Sequence, residues 1–262
     1  MVRHIAACVL ASGASLAHAD CGSLPGWGQL KQALQAAVAA ESSGLDLQMW
    51  ATVVDRDGVV CAVTFSGLDR GAQWPGSRVI SAQKANTANA FSLEGPNPSI
   101  VFPNGLALST ANLYSAVQPG GSLFGLQHSN PVDTSVAYGG NSAHYGMAND
   151  FMVGRKIGGV NVFGGGLALY DSQHKVVGAV GVSGDTSCSD HMIGWRVRAL
   201  LGFDHLAGVA GVSGDPARPD NIVYDIVQNP NGGTGASGGG FGHPTCIRSE
   251  VTSPSSLPPV KS

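Results

Sequence analysis

The chain has little charge. Of its 262 residues only 12% are Asp, Glu, Lys or Arg, and the net charge is −3. The 14 Lys and Arg are scattered and form no basic run, which excludes the phosphate-neutralising face of a nucleic-acid binder. After the N-terminus no apolar stretch approaches the roughly 20 residues that cross a bilayer. Familiar catalytic signatures are missing as well. There is no G-K-[ST] phosphate loop and no H-E-x-x-H zinc helix. Gly181-Val182-Ser183-Gly184 lacks the second glycine spacing of a G-x-S-x-G nucleophile elbow. Asp55 and Asp57 flank a hairpin tip and read as turn formers. Cysteine is sparse and never in a C-x-x-C pair, so neither a zinc ribbon nor a thioredoxin-like motif is present.

What remains is apolar and glycine-rich. A 43% hydrophobic content supports one globular domain with a real core, carrying long embellishments. Residues 1–19 read as a secretory signal. Arg3 and His4 give a polar start, Ile5 to Leu16 a short apolar stretch, and Ala17-His18-Ala19 a small-x-small cleavage site. The mature chain is expected to begin at Asp20 and to be periplasmic or secreted. Cys8 leaves with the signal. Cys21, Cys61, Cys188 and Cys246 remain, an even number in an exported chain, and predict two disulfides.

The central stretch runs from Ala168 to Arg198. A strand turns through Asp171 to His174, resumes from Val176 to Val182, and ends at Ser183-Gly184-Asp185. A helix follows to about Leu201, N-capped by Thr186 or Ser189. Such a strand-to-helix junction presents unpaired N–H groups that can receive an anion. Upstream, Trp27 to Ala40 predicts an amphipathic helix, with Leu30, Leu34, Ala37 and Val38 on one face. Met49–Val54 and Val59–Phe65 predict a hairpin turning at Asp57-Gly58, and Ser77 to about Ser92 predicts a second helix. Residues 93–150 form a long proline- and glycine-punctuated connection with one helical patch, Ser109–Val117. A connection of that length is usually functional. Val160–Phe163 predicts a strand, and Ile222–Val227 an edge strand. Residues 229–262, Gly-rich and then Ser/Pro-rich, predict a flexible tail. The fold is therefore α+β, a single antiparallel sheet of about five strands with helices packed on one face, spanning residues 20–228.

Three motifs fall in one order: Val53-Val54-Asp55-Arg56-Asp57-Gly58-Val59-Val60, the helix carrying Lys84-Ala85-Asn86-Thr87-Ala88, and VVGAVGVSGD ending at Asp185 after Gly164–Leu169. Together they resemble the GlcG/HbpS-like haem-binding domain family. The resemblance implies a profilin-like sheet, haem as cofactor and assembly into homo-oligomers. It also singles out Lys84, since the family's helix carries a lysine here.

Haem iron takes His, Met, Tyr or Cys. His144-Tyr145-Gly146-Met147 gathers three such residues in four, with His128 nearby in sequence; these are the candidate iron ligands. Lys84, if it faces the sheet, is a buried cation that needs a carboxylate. Together with Ser183, Gly184, Thr186 and His191 it forms a candidate site for a haem propionate or another small anionic ligand. His191, in the first helical turn, is expected to be neutral there. The readings that follow are an exported haem-binding protein for capture, storage or sensing, an enzyme acting on a small organic acid or aldehyde, or a non-catalytic interaction protein.

Topology suggests the disulfide pairing. The first helix runs antiparallel to the first strand, which brings Cys21 to the end of the sheet where the Asp57-Gly58 turn leads to Cys61. With the last strand beside the first, Cys188 leaves from the opposite end and Cys246 can reach it. The expected bonds are Cys21–Cys61 and Cys188–Cys246.

Overall fold

The computed structural model describes residues 20–227, 229–233 and 235–262; the expected signal segment 1–19 lies outside them. Helix α1 spans Trp27–Ala39, strands β1 and β2 span Trp50–Asp55 and Val60–Phe65, and helix α2 spans Ser77–Phe91. After the long connection come β3 (Gly166–Tyr170), β4 (Val176–Ser183) and α3 (Ser187–Leu201). The sheet order is β2-β1-β4-β3 with every pair antiparallel. The last strand thus lies beside the first, as expected, but the sheet has four strands rather than five.

Every residue of β1 is buried because both sheet faces are covered. Alternation along a strand sends successive side chains to opposite faces. Ala51 and Val53 of β1, Leu167 and Leu169 of β3, and Val180 and Val182 of β4 join Leu30 and Leu34 of α1 and Ile193 and Val197 of α3 in one core. Trp50 and Val54 of β1 and Ala179 of β4 instead pack with Val79, Ala82, Ala85 and Ala88 of α2. The helices therefore occupy both faces, not one. Burial on both faces also explains why the strands read as unbroken apolar runs. The close seat of α2 requires glycine in β4: a Cβ at Gly181 would lie 2.0 Å from the Ser81 carbonyl oxygen and 2.5 Å from the Ala85 nitrogen.

Several expected elements differ. Val160–Phe163 is irregular, though Val160 and Val162 are buried with Leu108 and Leu113; burial, not strand pairing, accounts for their apolar character. Ser109–Val117 forms two 3₁₀ turns, Thr110–Leu113 and Ser115–Val117, with Asn112 serving the Ser109 cap through its side chain. Of the expected edge strand only Ile226–Val227 is extended, and it pairs with Ala236–Ser237 in a separate ribbon. Residues 229–262, expected as a flexible tail, carry buried His243 and Leu257 and return to the body through a bridge between His205 and Lys261. Both expected disulfides are present, Cys21–Cys61 and Cys188–Cys246, with Cα separations of 5.2 and 5.9 Å. Among the described residues no helix is long and apolar enough to cross a membrane.

Candidate functional site

The junction between β4 and α3 gathers several buried polar and charged side chains, among them Ser183, Asp185, Asp190 and His191. Thr186 caps α3 by accepting from the Ser189 N–H, and Asp190 sits one turn in. Lys84 reaches across from α2. It is 1% exposed, and its Nζ donates to Asp190 Oδ2 at 2.6 Å and to the Val182 carbonyl at 3.1 Å. Asp190 Oδ1 accepts from the Asp185 N–H at 2.9 Å. Asp185 in turn accepts from the Leu45 and Leu47 N–H groups at 2.9 Å each and from the Thr186 N–H at 2.5 Å. The carboxylates that a buried lysine and an open helix start demand are thus supplied by the chain itself. The expected external anion has its natural seat filled by Asp185 and Asp190.

Burial dominates the electrostatics here. It lowers the Lys84 pKa, opposed by the charge of Asp190. It pushes the Asp190 carboxyl up to about 6, opposed by Lys84. His191 is fully buried, and burial lowers its pKa to about 4. The imidazole is neutral, as expected, chiefly because it is desolvated. Its Nε2 lies 3.1 Å from both Asn221 Oδ1 and the Ile222 nitrogen.

A cavity of about 310 Å³ opens beside the ion pair. Trp74, Ile80 and Phe163 give it apolar walls, and Lys84, Ser183, Ser187 and Asp190 a polar one. Ligand pockets run from about 300 to 1,000 Å³, so this one suits a small molecule rather than a porphyrin. Of the residues singled out in the sequence, the cavity brings together Lys84 and Ser183. His191 is absorbed into the core, and Thr186 into the cap.

Sequence reasoning missed a serine–histidine contact at the same junction. Ser187 Oγ lies 2.7 Å from His243 Nε2, and His243 Nδ1 lies 2.7 Å from the Pro244 carbonyl. A carbonyl only accepts, so Nδ1 carries the proton and Nε2 accepts from the serine hydroxyl. Ser187 Oγ itself accepts from the Gly164 N–H at 2.6 Å. His243 is buried, and burial lowers its pKa to about 4. The Tyr114 ring packs on it with centroids 4.8 Å apart, and Ser115 donates to the Gly242 carbonyl at 2.6 Å. The Cys188–Cys246 disulfide ties the two partners' neighbours together. An even cysteine count was the one available signal, because the expected bond already drew 246 towards 188.

The second candidate place is the loop of expected iron ligands. A 3₁₀ turn, Ser142–His144, is capped by the Asn141 side chain. Gly146 takes φ +80° and sits where a Cβ would strike Phe65 at 2.6 Å and Trp50 at 2.8 Å, and its carbonyl accepts from Trp27 Nε1 at 2.8 Å. The loop is thereby pinned to β1, β2 and α1. Tyr145 is committed to the fold: its hydroxyl donates to the Tyr138 and Gly139 carbonyls at 2.9 and 3.0 Å, and its ring stacks on the Arg78 guanidinium at 3.7 Å. His144 is exposed and Met147 is 46% exposed. Arg70, also exposed, places its guanidinium 5.7 Å from the Tyr145 ring centre. His128 is exposed in the short helix Leu126–Ser129.

The four-stranded sheet, its three long helices and the glycine-lined junction define an α+β domain with a cavity of about 310 Å³ at the end of β4. Residues 28–199 match the family model described as haem degrading protein HbpS-like, and the chain belongs to that HbpS-like family. Solved structures resemble it over part of its length. The Klebsiella pneumoniae protein ORFY is 26% identical, with 66% of this chain and 87% of that one covered and a TM-score of 0.41. A PduOC–haem complex is 21% identical over 66% and 90%, at 0.42. A double mutant of Streptomyces reticuli HbpS is 16% identical over 76% and 99%, at 0.41. No curated protein matches the sequence.

Proposed function

We propose that this is an exported haem-binding protein, holding the porphyrin at the 142–147 turn rather than in the cavity. Membership of the HbpS-like family supports haem as the ligand class. The observation that supports the placement is His144, an exposed imidazole whose side chain hydrogen-bonds to none of the described residues, beside exposed Met147. Both residue types ligate haem iron. Tyr145 is a poorer ligand, because its hydroxyl proton is engaged with two carbonyls and its ring supports Arg78. Exposed Arg70, beside that ring, would pair with a propionate, since guanidinium and carboxylate match in geometry. When bound, haem would supply an iron centre. The chain's part is to hold the turn rigid through Gly146 and to present His144 on it.

Export accords with the 1–19 pattern and with two disulfides, which persist in oxidising compartments. The intact mass of the exported protein should correspond to a chain starting at Asp20. Titration with haemin should shift the Soret band, and His144→Ala should weaken binding at least tenfold while the far-UV circular dichroism stays unchanged. Full binding by His144→Ala/Met147→Ala would remove the site from this turn.

A further inference from the structure

Ser187 and His243 have the relation of a nucleophile and its general base. The hydroxyl donates to Nε2 at 2.7 Å, and the far ring nitrogen is fixed by a carbonyl at 2.7 Å. That is the geometry in which a base is oriented by a third group. Two features set it apart from an ordinary buried hydrogen bond. Ser187 lines the cavity beside the Lys84–Asp190 pair, and Trp74, Ile80 and Phe163 line it too. And the base is held on the nucleophile by covalent means. Cys188 follows Ser187 directly, Cys246 follows His243 by three residues, and the two are bonded. Tyr114 and Ser115 of the long connection brace the same segment from outside.

We propose that Ser187 is an acyl-accepting nucleophile and His243 its base, acting on esters of short carboxylic acids in this cavity. The inference concerns the cavity, not the 142–147 turn, and does not rest on haem binding. In the first step Ser187 Oγ bonds to the ester carbonyl carbon as the hydroxyl proton passes to His243 Nε2. The Gly164 N–H, which points at Oγ in the resting site, donates to the oxygen of the tetrahedral adduct. The carbon–alkoxy bond then breaks, the alkoxide takes the proton from His243, and an alcohol leaves. Water adds to the acyl carbon with its proton going to His243. That proton returns to Ser187 Oγ as the acyl–oxygen bond breaks, and a carboxylic acid is released. The sequence is redox-neutral and needs no cofactor. A volume of about 310 Å³, shared between the acyl group and the leaving group, favours a short acyl chain. Burial lowers the His243 pKa to about 4, so the imidazole is neutral, with Nε2 free to receive the serine proton, across the neutral range.

The test uses the full disulfide-bonded protein and 4-nitrophenyl acetate, with 4-nitrophenyl octanoate as the long-chain control. The expected result is a burst of nitrophenolate with the acetate and not the octanoate. Peptide mass spectrometry should then find one acetyl group on the peptide holding Ser187. Ser187→Ala should abolish burst and adduct. His243→Gln should slow acylation by at least a hundredfold, with haemin titration unchanged in both variants. Ser187→Cys provides a second reading, because a cavity thiol activated by His243 should react with iodoacetamide faster than free cysteine. Selective reduction of Cys188–Cys246 should slow acetylation by freeing the base. Acetylation elsewhere with Ser187 unmodified, equal rates in His243→Gln, or an inert thiol in Ser187→Cys would each overturn the proposal.

Discussion

β1 and β4 pair over six residues, from Trp50 opposite Ser183 to Asp55 opposite Gly178. The chain beyond Phe203 has no comparable ladder among its described residues; its longest is a two-residue ribbon. Apart from isolated backbone bonds such as the Ala107 N–H to the Ala210 carbonyl at 2.8 Å, it is held by side chains: Asp220 to Arg198, the Pro258 carbonyl to Trp195 Nε1 at 2.9 Å, Thr252 to Glu41 at 2.7 Å, and a disulfide from Cys246. Backbone pairing and two-faced burial hold the sheet region, to whose core the wrap adds Ile222 and Leu257. The wrap depends on a few long-range contacts, and so does His243, the half of the dyad that it carries.

The comparison breaks most visibly at Arg198. It is fully buried and bidentate to Asp220, at 2.6 and 2.9 Å. Removing one member of a buried pair strands the other charge, at a cost of about 3–5 kcal/mol. Arg198→Met should therefore lower urea stability by about that amount, and Arg198→Met/Asp220→Leu should recover most of it. A loss below about 1 kcal/mol would mean that the wrap and the sheet are not coupled through this pair.

Acid should separate the two regions next. His191 in α3 and His243 in the wrap both have folded pKa values of about 4, below the usual value near 6.5. Their folded-state pKa is depressed by burial, so the fold excludes the proton. The stability each contributes is present above about pH 6.5 and is lost as pH falls towards 4. At about 1.4 kcal/mol per unit, the shift is worth about 3 kcal/mol for each histidine. Asp190, raised to about 6, runs the other way: its contribution is lost as pH rises from about 4 to 6, which offsets part of the slope. Net stability should fall between pH 6.5 and 4.5, and His243→Gln should make that fall shallower. An unchanged slope would assign the acid sensitivity to His191 and the sheet region alone.

Legibility in the sequence followed the same division. Unbroken apolar runs located β1, β2 and β4 and helical patterns α1 and α2 to within a residue or two, and of the two candidate caps, Thr186 and Ser189, the first is the cap. Asp57-Gly58 gave the hairpin, with Gly58 at φ +79°. Both disulfides could be argued from the antiparallel order. The two-faced burial of the sheet could not, since an apolar run does not say what covers each side. The wrap was misread because Gly- and Ser/Pro-rich composition predicts disorder, whereas its order comes from contacts such as Trp195 to Pro258. Lys84 was legible as a buried cation but its partner was not, although Asp190 stood in the helix under discussion. Ser187 and His243 lie 56 residues apart with no motif between them, and only the folded chain brings them together.

The smallest effect should come from a contact wholly inside the sheet region. Thr186 Oγ1 accepts from the Ser189 N–H at 3.3 Å, closing the first turn of α3. Losing an N-cap hydroxyl costs about 1 kcal/mol, since one orphan donor reverts to poorer solvation. Thr186→Ala should shift the urea midpoint by that much with the slope unchanged, and Thr186→Ser should stay close to wild type. Because α3 also rests on the sheet through Ile193 and Val197, the helix itself should persist. A cap that cost as much as Arg198→Met would reverse the comparison: the strand-to-helix junction, rather than the wrap, would be the part of the molecule that hangs on a single contact.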